Sequence, residues 1–188
     1  VAGPNSTGTW DLIVDGTSTL RSNNGKVSVL GQGQFDLIIP NLTIESNNEI
    51  LIQDDQPRLS NSLYLTGSAI VKIQSSSSAF ATVPDLGVTN INSTITGLTL
   101  GRETETGTFT LSKAYTINGP INVYAGTINL QGAQTSTSTS AQVLLKSKGD
   151  ITTTGNGDVT TNGGDIVFWS NSDGNTVSGG RIVVVDGS

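Results

Sequence analysis

Hydrophobic residues along this chain come in short runs, and within each run they alternate with polar ones. QFDLII at 34–39, EILIQ at 49–53, SLYLT at 62–66 and AIVKIQ at 69–74 keep a period of two over four to six residues. That is the pattern of a half-buried strand. Further runs lie at 10–14, 18–21, 26–30 and 42–44, then at 98–100, 108–111, 114–117, 121–124, 127–130, 143–146, 151–154, 159–161, 166–169 and 182–185. No long stretch has a 3.6-residue period, and Ala, Glu and Lys are few, so helix is poorly supported. The spacing predicts an all-β chain. Pro40 ends its strand because it has no N–H to donate. Residues 79–96, around Pro84, keep no rhythm and read as an excursion, and the serines at 75–78 read as a flexible low-complexity tract.

The runs also resemble one another. GDIVFWS at 164–170 aligns with GRIVVVD at 180–186 after a shift of sixteen, and GDITTT at 149–154 aligns with the first after a shift of fifteen. Gly precedes many runs (97, 107, 126, 149, 157, 164, 180), often seven or eight residues apart. One such step holds a strand and a corner, and two or three steps make a coil. Asn-Gly and Asp-Gly pairs at 24–25, 118–119, 162–163, 15–16, 173–174 and 186–187 are hairpin signals, so an antiparallel β-sandwich is the alternative. Parallel stacking is favoured because like segments repeat in the same direction, and because Gly and Asn supply the positive φ of a sharp corner.

The expectation is therefore a parallel β-helix (β-solenoid) over 1–188, with less regular coils over 1–78 and regular ones over 97–188. At about 16–20 residues and ~4.8 Å per coil it makes roughly ten coils and a rod of about 50 Å. Leu111, Ile117, Ile121, Val123, Ile128, Leu130, Val143, Leu145, Ile151, Ile166, Phe168, Ile182 and Val184 form its inward column.

Composition narrows the function. Ser, Thr, Asn and Gly make up nearly half of the 188 residues, and Cys, Met and His are absent. Disulfide, thiolate and imidazole chemistry are thereby excluded. A net charge of −6 with no basic patch excludes a nucleic-acid partner. No apolar run reaches membrane-spanning length, so membrane insertion is not expected. With no signal peptide and no initiator Met, the chain reads as a mature or excised segment of a longer protein. Its composition suits an exported bacterial protein.

Candidate chemistry is sparse. Asp150, Asp158 and Asp165 stand beside Gly corners, and GNGDVTTNGGD at 155–165 faintly echoes calcium-binding β-roll repeats. These three are weak Ca²⁺ candidates without the strict nine-residue spacing, so neither a cofactor nor a metal is assigned. Asp173-Gly174-Asn175 reads as a plain turn. Asp165 over Arg181 is a candidate cross-coil ion pair. With Ile166 and Phe168 inward, Val167, Trp169, Val183 and Val185 point outward as an apolar stripe, a candidate surface for a sugar or a neighbouring chain. Trp10 and Tyr124 are lesser candidates of that kind. The TSTSTS run at 135–140 reads as a loop rather than a threonine array. Asn5, Asn41 and Asn92 fit the glycosylation triplet, which carries little meaning in a bacterial host. With no His and thinly scattered carboxylates, no catalytic residue is assigned.

GPINVYAGTINLQGA at 119–133 and QVLLKSKGDITTTGNGDVTTNGGDIVFWSNSDGN at 142–175 resemble repeats of very large bacterial surface adhesins: the filamentous-haemagglutinin-like proteins, and particularly the giant repetitive cell-surface and gliding adhesins of Bacteroidetes. The resemblance covers about residues 95–188 and departs from the phrase at Ala125, where Gly is expected, and at Phe168, where Leu is usual. It implies a right-handed parallel β-helix, secreted to the bacterial cell surface, without catalysis. The expected role is a structural or adhesive segment, a rigid spacer and contact surface whose partners are neighbouring modules of the same polypeptide or surface glycans. The alternative is a carbohydrate-binding or polysaccharide-degrading β-helix of tailspike or lyase type.

Overall fold

The computed structural model describes residues 10–11, 17–37, 41–175 and 179–185. The Asp15-Gly16 and Asp186-Gly187 turns, Pro40, the Asn5 triplet and most of the 10–14 run lie outside them. Every strand pair among the described residues is parallel. The chain is a β-solenoid of about six turns, and the sandwich alternative falls away.

Three strands make a coil, one on each face. The first face is an unbroken seven-stranded ladder: Val27–Leu30, Glu49–Gln53, Ile70–Gln74, Gly97–Leu100, Ile121–Ala125, Val143–Ser147 and Ile166–Trp169. The second face takes the strand that follows in each coil. It holds Trp10–Asp11, Gln34–Leu37 and Gln56–Leu59, then, after a break, Thr108–Leu111, Thr127–Leu130, Ile151–Thr153 and Ile182–Val184. The third face holds Ser18–Ser22, Leu42–Ser46, Leu63–Thr66 and Asn90–Ile91, then Tyr115–Ile117, Gln134–Thr139 and Val159–Asn162.

Coils are longer than the repeat in the sequence suggests. On the first face Val27 stacks on Ile50, Ile50 on Val71, Val71 on Leu98, Leu98 on Ile121, Ile121 on Val143 and Val143 on Ile166, steps of 23, 21, 27, 23, 22 and 23 residues. Six rises of ~4.8 Å span about 29 Å, in place of ten coils and about 50 Å. The shift of sixteen matches two successive strands of one coil, Ile166–Trp169 on the first face and Ile182–Val184 on the second. Any strand-plus-corner unit resembles the next, so self-similarity at that shift reports the unit and not the stack. Ile182 in fact lies on Ile151.

Alternation builds the core. Leu42–Ser46 and Ile121–Ala125 each bury their first, third and fifth residues. Of the expected inward column, Leu111, Ile117, Ile121, Val123, Ile128, Leu130, Val143, Leu145 and Ile151 are fully buried. At two corners an inward Ser hydroxyl is satisfied by the preceding coil: Ser46 Oγ donates to the Gly25 carbonyl and Ser147 Oγ to that of Gly126, both at 2.8 Å. A buried hydroxyl without such a partner would cost stability.

Corner glycines serve close approach more than positive φ. A Cβ on Gly119 would sit 1.8 Å from the Thr96 carbonyl oxygen of the coil beneath. Gly101, at φ +71°, needs both its conformation and its bareness, since a Cβ there would sit 2.2 Å from the Tyr124 carbonyl oxygen.

An excursion between the first and third faces accounts for the 27-residue step. The chain leaves after Gln74, makes a 3-10 turn at Leu86–Val88 and rejoins the third face at Asn90–Ile91. It lodges Phe80 edge-on against Phe109, ring centroids 5.8 Å apart, and buries Leu86. Buried Glu105 anchors it by accepting from the Phe80 amide at 3.0 Å and from the Gly107 amide at 2.8 Å. The serine tract is tied down: Ser75 is buried and the Ser77 amide donates to Asp55. The TSTSTS run is a strand rather than a loop, because its alternation puts Ser136 inward, where Oγ donates to the Gly119 carbonyl at 2.7 Å.

Candidate functional site

The first face carries its chemistry on the last three coils. Outward positions stack in rows there. One row reads Tyr124, Lys146, Trp169, the next Asn122, Leu144, Val167. A third, at the corner where the face begins, reads Pro120, Gln142, Asp165, each one residue before a paired Ile121, Val143 or Ile166.

Trp169 is half exposed and lies over Lys146, whose Nζ is 4.5 Å from the ring centroid. Lys146 is the more buried partner, its side chain 16% exposed, and its ammonium also reaches Glu103 at 2.9 Å. The indole is therefore a lid over the lysine, with its opposite face toward solvent. A cation beneath a tryptophan ring is attracted by the ring quadrupole, which holds the ring flat.

At the other edge of the same face lies a groove of about 550 Å³, lined by Pro120, Asn122, Ala141, Gln142, Gly164 and Asp165 among others. Ser140 and Gly163, also in its wall, have positive φ (60° and 77°). The corner there is bent open. Asp165 and Trp169 are four residues apart along extended chain, so their backbone positions are about 13 Å apart.

Several other charged side chains are engaged in ion pairs between coils. Arg21 holds Glu45 at 2.7 Å, Arg58 holds Asp36 at 2.9 Å, and Glu49 is shared by Lys26 and Lys72 at 2.7 and 2.5 Å. The two lysines hold the Glu49 carboxyl below the usual carboxylate range. At Asp55 burial is outweighed by hydrogen bonds from Ser77 and Ser76, and the carboxyl again sits low. Asp54 goes the other way: burial pushes it up against the amide bonds of Gln56 and Gly33.

The expected Asp165–Arg181 pair does not form. Arg181 sits on the second face and binds Asp150, with Nη2 at 2.8 Å from Oδ2 and the backbone amide at 2.8 Å from Oδ1. The reason is the coil length, since Asp150 is the residue directly beneath Arg181 when Ile182 lies on Ile151. This guanidinium holds the Asp150 carboxyl below its ordinary range. Asp158 and Asp165 are exposed on other corners, and no group of three or more His, Cys, Asp or Glu among the described residues is placed to hold a metal ion.

The expected apolar stripe is divided. Val167 and Trp169 lie on the first face, while Val183 belongs to the second-face strand that Val185 follows. Trp169 (50%), Val183 (36%) and Val185 (48%) are exposed and Val167 is half-buried. The inward partners Ile166, Ile182 and Val184 are exposed as well, because no described coil lies above them. Phe168 is partly buried against the core. Tyr124 is half-buried in the Trp169 row, and Trp10 pairs by backbone with Phe35 at the opposite end of the stack, its side chain outside the described set. No helix among the described residues is long and apolar enough to cross a membrane.

Lys146, Gln142, Asn122 and Glu103 were not singled out by the sequence. The available signal was the spacing of Tyr124, Lys146 and Trp169, 22 and 23 residues, which is the coil length. In comparison with known proteins, no family model matches the chain, and neither a curated protein nor a solved structure does.

Proposed function

We propose that this chain is a non-catalytic structural and adhesive segment of a large bacterial cell-surface filament or adhesin, acting as a rigid spacer that carries a contact surface. The observation that carries this reading is the unbroken seven-stranded parallel ladder of the first face, closed over a continuous aliphatic column. In such a stack each coil contacts only its neighbours, so load along the axis passes from rung to rung over one continuous ladder. The use of the charged groups supports it. Glu45, Asp36, Glu49 and Asp150 are spent on ion pairs between coils, and Glu105 and Asp54 on backbone amides, so they serve register rather than acid–base chemistry. The resemblance of residues 95–188 to surface-adhesin repeats supports a cell-surface location. Neighbouring modules of the same polypeptide and surface glycans are the partners it implies.

The test is labelling of intact producing cells with an antibody to this chain, alongside a reducing-end assay on a polysaccharide panel. The reading requires surface label on bacterial cells and no release of reducing ends. Label confined to the cytosol, or steady cleavage of any glycan, overturns it. Cleavage would favour the lyase-like alternative, whose best support is the groove beside Asp165.

A further inference from the structure

We infer that the last three coils of the first face bind a neutral oligosaccharide of extended, β-linked hexopyranoses. The chain of sugars lies across the face from the groove at Asp165 to the indole of Trp169. This rests on the proposed reading of the segment as a contact element and names the chemistry of the contact.

Two independent features point to it. The first is the ring. Trp169 is 50% exposed, with the Lys146 ammonium 4.5 Å from its ring centroid on one side, which leaves the other side of the ring for a ligand. A sugar ring with equatorial hydroxyls has a flat, weakly polar C–H face that stacks on such a platform. Fixing the ring in advance removes part of the ordering cost of binding.

The second is the groove. Asn122, Gln142 and Asp165 bring two amides and a carboxylate to it, and no hydrogen bond or ion pair of the described structure engages these three side chains. Together they donate and accept, as a hydroxyl-rich ligand requires. The half-buried Leu144 and Val167 lie between groove and ring, where the C–H surface of a middle sugar passes. The distance of about 13 Å suits a ligand of roughly three rings.

Neutrality follows from the charges. Lys146 is already neutralised by Glu103, the free charge in the groove is the carboxylate of Asp165, and the chain carries a net charge of −6. A polyanionic glycan would be repelled. A protein partner fits less well, because one indole and two half-buried aliphatics are far short of the surface that a stable protein interface buries.

The experiment is an NMR titration of the full chain, carrying Trp10→Phe so that Trp169 alone gives an indole signal, with cellotetraose and with tetra-N-acetylchitotetraose. Saturable shifts of the Asn122 and Gln142 side-chain amides and of the Trp169 indole N–H, with either sugar, are expected. Trp169→Ala should weaken binding about tenfold or more. Asp165→Ala, at an exposed position where folding is not at stake, should weaken it severalfold. No shift with either sugar at millimolar concentration overturns the inference, as does equal binding of maltotetraose or binding that Asp165→Ala leaves unchanged. Those results on a chain that labels at the cell surface remove the glycan and leave the surface reading standing. Cytosolic label removes the surface reading whatever the titration gives.

Discussion

Arg181 reaches back across one coil to Asp150 with its backbone amide, its Nη2 and its Nε, at 2.8, 2.8 and 3.2 Å. The contact ties the final second-face strand, Ile182–Val184, to the strand beneath it, where packing contributes least because Ile182 and Val184 are exposed. It is the same device as Arg21 on Glu45 and Arg58 on Asp36: unlike charges on stacked rungs, fixing register on the outside while aliphatics fix it within.

Acidification should weaken the stack through these pairs. Glu49 and Asp150 have folded pKa values held below their ordinary range by Lys26 and Lys72 and by Arg181. Their contribution is therefore present above the unfolded carboxylate pKa, about 4, and is lost as pH falls through the lower folded values. Asp54, pushed up by burial, acts oppositely and is relieved when protonated. Urea midpoints at pH 7 and pH 3 check this. The midpoint should fall on acidification, less so in Glu49→Gln, more so in Asp54→Asn.

Position in the stack should decide the cost of emptying a core site. Ile128→Ala removes a fully buried side chain with coils above and below, and should cost about 2–5 kcal/mol. Ile166→Ala is an inward residue too, but it is 49% exposed, so its loss should be roughly 1 kcal/mol or less. Chemical denaturation of the two variants compares them. Equal losses would mean that the last coil is covered as well as the middle ones.

Corner glycines should divide by the reason for their bareness. Gly119→Ala drives a Cβ into the Thr96 carbonyl and must push two coils apart, for a loss on the order of 3 kcal/mol. Gly163, at φ +77°, has no heavy atom within 4 Å of its would-be Cβ, so Gly163→Ala should cost only the backbone strain, about 1–2 kcal/mol. Thermal melts of both variants give the order.

Sequence alone determined most of the strands and their alternation, and favoured a common direction, but it missed the strands at Gln56–Leu59 and Gln134–Thr139. Each of these is local: a period of two marks a strand, and like segments repeating head to tail favour parallel stacking over hairpins. Residues such as Ile121, Val123, Ile128 and Leu130 were legible as core for that reason, and the break around Pro84 was visible as a loss of rhythm. The length of a coil was not local. It depends on how many strand-and-corner units close one turn, and units that look alike align equally well within a coil and between coils. Tertiary structure decided that number, three, and with it every contact along the stack. Only then did Arg181 belong to Asp150 rather than Asp165, Trp169 to Lys146 rather than Val185, and the amides of Asn122 and Gln142 to one groove with Asp165.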